Sequence, residues 1–156
     1  MDAALLIARL ILFGVFGVAG VAKLLDRQGS REGLEGFGVP KALAIPGGYL
    51  LPLAELAVAV LLLPRATAQY AAIGGLILLL AFIAGIAYNL TKGRTPDCHC
   101  FGQLHSEPAG VSTIVRNGVL SAVALFLLIG GWGDPGWSLV AWLGDLSGFE
   151  IALGIV

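Results

Sequence analysis

Four long apolar runs, separated by short polar segments, constrain this sequence more than any other feature. The runs cover residues 3–25, 43–63, 70–90 and 112–129. A helix needs about 20 mostly apolar residues to cross the roughly 30 Å hydrocarbon core of a bilayer, and each run is near that length. The sequence therefore predicts an all-α, multi-pass membrane bundle with four transmembrane helices.

The composition excludes two other classes of protein. Hydrophobic residues occupy 58% of the 156 positions and charged residues 12%, whereas a soluble domain carries about 25% charged residues. We therefore expect the lipid bilayer to be the main partner of the surface. A net charge of −1 lacks the basic footprint that nucleic acid requires. The length suits a single domain over residues 1–156.

Two of the segments outside the four runs bear on the architecture. Residues 26–41 are polar and end at Gly38-Val39-Pro40, which is a turn signal. Residues 137–156 carry leucines at helical spacing, but Asp145 and Glu150 interrupt the apolar pattern. We predict that this last segment forms either an interfacial helix or a fifth span that the sequence cuts short.

The loop between the third and fourth runs holds both cysteines, Cys98 and Cys100, with His99 between them. Residues i and i+2 of a helix point to different sides, so a helix is a poor host for a disulfide here. Pro96 and Gly102 favour a bent loop instead. Strained, exposed disulfides are the labile ones, and we predict that these cysteines form a redox pair.

Charged neighbours bear on how reactive the pair is. Arg94, His99 and His105 favour the thiolate form of a cysteine, which is the nucleophile in thiol–disulfide exchange. Asp97 acts in the opposite sense and could take up a proton. We therefore group the two histidines with the cysteines as candidate catalytic residues, and Arg94 and Asp97 as supporting residues.

A metal site is the main chemical alternative. Both cysteines and both histidines are ligand types that zinc or copper takes. Their spacing, however, matches none of the usual zinc patterns, which separate paired ligands by two to four residues. We expect no metal, and a non-catalytic metal-binding or scaffolding membrane subunit stays the first alternative function.

Polar residues inside the apolar runs need partners. Glu55 lies far from both ends of the second run, where an unpaired charge costs several kcal/mol, so we predict that it pairs with Lys23. The pair is either structural or handles protons. Asn89, beside the cysteine loop, either anchors the helix at the interface or hydrogen-bonds a substrate or quinone.

Several motifs resemble one family over nearly the whole length. They are Lys23-Leu24-Leu25-Asp26, GFGVP at 36–40, LPLAEL at 51–56 and, within 89–117, the more specific PDCHCFGQLHS at 96–106. With these motifs the chain resembles the MauE group of redox-associated membrane proteins, which are related in architecture to DoxX proteins.

The resemblance implies a function and a partner. It implies a helical bundle that acts with a thioredoxin-like protein, encoded nearby or fused after the last span, in disulfide formation or maturation of extracytoplasmic proteins. The founding member looks like an accessory factor for disulfide formation in periplasmic methylamine dehydrogenase. By this resemblance Cys98 and Cys100 would be the redox pair, and Glu55 and Lys23 would support the bundle.

A looser similarity connects the chain to the vitamin K epoxide reductase class, which passes electrons between a quinone and a cysteine pair. The chain departs from that class in having Cys-x-Cys rather than Cys-x-x-Cys and no second pair. A quinone-linked oxidoreductase is therefore the second alternative. No cofactor other than a quinone is expected.

Two arguments about orientation disagree. The loops after the first and third runs share a face that carries most of the basic residues, and the positive-inside rule places such a face in the cytoplasm. Disulfides form outside the cytoplasm, where reductants do not hold thiols reduced. We expect a multi-pass plasma membrane protein with the cysteine loop on the extracytoplasmic face.

Overall fold

The computed structural model describes residues 2–94, 97–98, 107–108 and 110–131, and the predicted last segment, 137–156, lies outside them. Four helices are long and apolar enough to cross a membrane, which confirms the predicted all-α membrane bundle. In chain order the elements are α1 (Asp2–Leu25), α2 (Arg27–Gly36), α3 (Lys41–Leu62), α4 (Arg65–Thr91), β1 (Asp97–Cys98), β2 (Glu107–Pro108) and α5 (Val111–Gly130).

The short helix α2 replaces what the sequence presented as a polar segment ending in a turn. Asp26 starts it, because its side-chain Oδ1 accepts a hydrogen bond from the Gly29 amide at 2.9 Å. Gly38, at a φ of 91°, ends it. Its amide donates to the Glu35 carbonyl and the next amide donates to the Leu34 carbonyl, which is a Schellman ending. The predicted turn is therefore the C-terminal cap of a helix.

The start of α4 also differs from the prediction. The helix begins at Arg65 rather than near residue 70, because the extended backbone of Pro64 provides its N-cap. This polar first turn contains Gln69, whose amide nitrogen donates to the Gly131 carbonyl at the end of α5. Hydropathy alone could not reveal a helical turn that lies outside the apolar run.

Small residues let the long helices approach closely. A Cβ atom at Gly20 of α1 would lie 3.0 Å from the Pro52 carbonyl oxygen and 2.7 Å from the Leu56 side chain of α3. Leu12 and Leu62 are fully buried at the same contact between helices. Lipid tails are as apolar as leucine, so close packing of this kind is what holds helices together in a membrane.

Arg9 is a buried cation that stabilises the end of α3. It is 3% exposed, and its Nε donates to the Leu62 carbonyl at 3.0 Å while a terminal nitrogen donates to the Leu63 carbonyl. The last carbonyls of a helix have no partner within the helix and carry partial negative charge. A guanidinium from α1 supplies both the hydrogen bonds and the opposite charge.

A buried ion pair joins α1 to α3, between the two residues that the sequence analysis paired. Lys23 Nζ lies 2.5 Å from Glu55 Oε1, and the residues are 5% and 1% exposed. The ammonium also lies 5.3 Å from the ring centroid of Phe82 in α4, within the range of a cation–π contact. Helices α1, α3 and α4 therefore meet at the Lys23 ammonium.

This pair predicts a non-additive loss of stability. Lys23→Met or Glu55→Met alone should lower the free energy of unfolding by about 3–5 kcal/mol, because each leaves an uncompensated buried charge. Lys23→Met/Glu55→Met should lose less than either single variant. Unfolding in mixed micelles measures all three, with the lipid-facing Leu50→Met (64% exposed) as the control. Additive losses would contradict an ion pair.

Candidate functional site

The backbone around the first cysteine is a strand at the base of a hairpin. β1 pairs antiparallel with β2, with Cys98 opposite Glu107 and Asp97 opposite Pro108. The extended backbone at Cys98 agrees with a non-helical cysteine segment. His99, Cys100 and His105 lie outside the described residues. The structure therefore fixes the backbone of one member of the predicted pair and the point to which the chain returns.

A Schellman ending terminates α4 just before this hairpin. Gly93 has a φ of 66°, its amide donates to the Leu90 carbonyl, and the Arg94 amide donates to the Asn89 carbonyl, each at 3.0 Å. Only glycine takes the left-handed conformation without strain. Gly93 therefore sets the direction in which the chain leaves the helix, and Arg94, which is exposed, leads towards β1.

Asn89 holds this helix end to a neighbouring turn. Its side chain is 2% exposed, and Nδ2 donates to the Gly85 carbonyl at 2.9 Å and to the Phe37 carbonyl at 3.3 Å. Phe37 follows α2, and α2 lies with Cα atoms within 8 Å of β1. Both of these contacts are made within the protein, so Asn89 holds the end of α4, from which the loop starts, to the turn after α2.

Lys92, another basic residue before the cysteines, makes its contacts along α4. Lys92 Nζ donates to the Tyr88 hydroxyl at 2.5 Å and lies 4.4 Å from the centroid of the same ring. Its charge is therefore directed back along α4. Among the described residues before the cysteines, Arg94 is the basic residue nearest to them in sequence.

A small cavity adjoins the buried ion pair. It has a volume of about 30 Å³, and its lining combines the polar residues Lys23, Glu55, Arg116 and Asn117 with apolar side chains of α1, α4 and α5. Glu55 Oε2 is buried and makes no hydrogen bond to any described residue. The space is large enough for one water molecule, since about 10–15 Å³ suffices. A water molecule there could hydrogen-bond the Glu55 carboxylate oxygen that has no described partner.

The sequence analysis did not single out Asn117. Arg116 entered it only as one of the basic residues on the face that carries the cysteine loop. Asn117 is 5% exposed and lies inside the fourth apolar run. A signal was available, because a polar residue within a membrane span usually faces the bundle interior. The metal alternative rests on His99, Cys100 and His105, which lie outside the described residues.

Comparison with known proteins agrees with the resemblance seen in the motifs. Residues 1–130 match the family described as methylamine utilisation protein MauE. The methylamine utilization protein MauE of Paracoccus denitrificans is 35% identical over 124 residues, which cover 78% of this chain and 67% of that protein. No solved structure matches the chain.

The matched region contains all of the helices described above, from α1 to the end of α5. Its extent and the level of identity to the relative establish the family. The chain is a multi-pass membrane protein that belongs to the MauE family of methylamine utilisation proteins.

Proposed function

We propose that this protein is a membrane thiol–disulfide redox protein that supports disulfide formation or maturation of an extracytoplasmic protein of methylamine utilisation. The observation that carries the proposal is the paired strand at Cys98, which anchors a loop containing a second cysteine two residues later. The membership in the MauE family supports the link to methylamine utilisation.

Elementary geometry explains why this pair would form a labile disulfide. Residues i and i+2 of an extended chain are about 7 Å apart between Cα atoms, and a disulfide needs at most about 6.8 Å. Closing a ring between Cys98 and Cys100 therefore requires the chain to bend at His99. Such a bond is easily opened by an attacking thiolate, which is what an electron carrier needs.

The exchange reaction balances with a thioredoxin-like partner. The thiolate of one cysteine attacks the partner's disulfide, forms a mixed disulfide and releases the first partner thiolate. The second cysteine thiolate then attacks the mixed disulfide, forms the Cys98–Cys100 bond and releases the second partner thiolate. Two electrons pass from this chain to the partner, and the reverse sequence returns them.

The neighbouring side chains have supporting roles in this proposal. His99, His105 and Arg94 favour the thiolates by their positive charge, and Asp97 receives a proton released as a thiol ionises. Asn89 holds the end of α4, which leads into the loop, to the turn after α2, and the Lys23–Glu55 pair joins α1 to α3. We place the loop on the extracytoplasmic face, where disulfides persist.

Trapping the mixed disulfide tests the chemistry. Cys100→Ser leaves Cys98 without its resolving partner, and Cys98→Ser does the reverse, so one of them should accumulate a covalent complex with a thioredoxin-like protein. The complex should dissociate on reduction and should not form in Cys98→Ser/Cys100→Ser. Gel analysis of the purified variants detects it. If neither single variant traps a thioredoxin-like protein, the proposed exchange is wrong.

A glycine substitution tests whether the end of α4 positions the loop. Gly93→Ala places a residue with a Cβ atom in the left-handed conformation, which costs about 1–2 kcal/mol. We expect the exchange rate of the oxidised protein with reduced thioredoxin to fall about fivefold, the ratio that about 1 kcal/mol gives. Gly118→Ala is the matched control, because a Cβ at either glycine meets no atom within 4 Å. Equal rates would contradict the positioning role.

Labelling in intact cells tests the orientation. A membrane-impermeant maleimide should modify the reduced wild-type protein before lysis, and it should not modify Cys98→Ser/Cys100→Ser. Protection of the cysteines until the cells are lysed would place the loop in the cytoplasm, in line with the positive-inside rule.

A further inference from the structure

An open groove lies between α2 and α3, and neither residue of the buried ion pair lines it. Its volume is about 500 Å³, within the range of about 300–1,000 Å³ that ligand sites occupy. Its α2 wall contains Arg27, Arg31, Glu32 and Glu35, and its α3 wall contains Ile45 and Tyr49. The groove therefore combines both signs of charge with an apolar wall.

The groove opens at the boundary of the membrane. The apolar helix α1 ends at Leu25, and Arg27 begins α2 directly afterwards. Gly48 of α3 lies level with this point, since a Cβ there would be 3.8 Å from the Arg27 carbonyl oxygen. The next residue, Tyr49, is 48% exposed, and tyrosine is enriched where headgroups meet hydrocarbon.

The arginines retain capacity for a phosphate. Arg27 Nε donates to the Leu24 carbonyl at 3.2 Å and its guanidinium lies 5.4 Å from the Tyr49 ring centroid. Arg31 Nε donates to Glu35 Oε1 at 3.0 Å. Both contacts use Nε, and within the described part of the chain the terminal nitrogens remain for a ligand. A planar guanidinium binds phosphate oxygens in pairs.

The glutamates favour a ligand that carries a positive charge in addition to its phosphate. Glu32 accepts from Gln28 through Oε1 and Glu35 accepts from Arg31 through Oε1, while an ionised carboxylate offers about four lone-pair sites. Their charges cancel those of the two arginines. A ligand with only negative charge would be repelled by these carboxylates, whereas a primary ammonium would donate hydrogen bonds to them.

An apolar path leads from the groove into the membrane. Ile45, Tyr49 and Leu53 follow one another at four-residue intervals on α3 and are 49%, 48% and 52% exposed, so they form one stripe along the helix. We propose that the groove binds a zwitterionic aminophospholipid: its phosphate on Arg27 and Arg31, its primary ammonium on Glu32 and Glu35, and an acyl chain along this stripe.

A competition between lipids tests the proposal. The full chain is purified in detergent, supplied with equimolar phosphatidylethanolamine, phosphatidylcholine and phosphatidylglycerol, and examined by native mass spectrometry. We expect phosphatidylethanolamine to be retained about fivefold over the other two, because a hydrogen bond from its ammonium to a glutamate contributes about 1 kcal/mol, which is about a fivefold ratio. The quaternary ammonium of choline has no N–H to donate, and glycerol offers the glutamates no positive charge.

Substitutions then assign the binding to the groove. Arg27→Gln should lower phosphatidylethanolamine retention about fivefold, and Arg27→Lys, which keeps the charge but loses the planar fork, should lower it less. Lys41→Gln is the matched control, because Lys41 is also exposed on this face but lies outside the groove. Glu32→Gln/Glu35→Gln should remove the preference over phosphatidylcholine.

Three outcomes would overturn the proposal. Phosphatidylglycerol retained as well as phosphatidylethanolamine would mean that the glutamates do not contribute. Equal retention by Arg27→Gln and Lys41→Gln would mean that the lipid binds elsewhere and that the groove takes another occupant, such as a protein segment. A preference that survives in Glu32→Gln/Glu35→Gln would exclude the ammonium site. The thermal unfolding midpoint of each variant verifies that it is folded.

Discussion

Hydrocarbon offers no hydrogen bonds, so every polar group that this chain places within the membrane must find a partner inside the protein. The ends of the helices show how the sequence meets this requirement. Arg9 bonds the last carbonyls of α3 and Gln69 bonds the end of α5. Both side chains come from a different helix than the one they stabilise, so satisfying the backbone also fixes how the helices pack.

The same requirement operates beneath the cysteine loop. Asn89 lies at the end of α4, where it bonds the Phe37 carbonyl after α2 and its own carbonyl receives the Arg94 amide. The Lys23–Glu55 pair holds α1 against α3 on the same side of the bundle. A reactive disulfide needs a loop that strains the bond while its supports stay in place. In the proposed function, these helix ends would supply those supports.

Much of this fold could be predicted, because a span of about 20 apolar residues has few alternatives. The Lys23–Glu55 contact was also predictable, since a buried charge leaves few choices of partner. Helix α2 was not predicted, because Leu34 is its one large apolar residue and its pattern gave no periodic signal. Asp26 as an N-cap was the available sign, and it is common in turns as well as in helices.

The position of Asn117 at the cavity depends on how α5 packs against α1 and α4, which no local pattern encodes. The hairpin base at Cys98 has the same origin. Its two-residue strands pair across residues 99–106, and such short strands have no alternating pattern to detect. The loop was nonetheless a candidate site in the sequence, because it holds both cysteines and both histidines of the chain.

The central claim is that the two sulfurs of Cys98 and Cys100 interconvert between a dithiol and a disulfide. Counting free thiols in the purified protein, across glutathione and thioredoxin buffers of increasing potential, tests it most directly. We expect both thiols to disappear together, as one two-electron couple, at a potential above the roughly −270 mV of thioredoxin. Two thiols that stay free in every buffer that oxidises thioredoxin would contradict it.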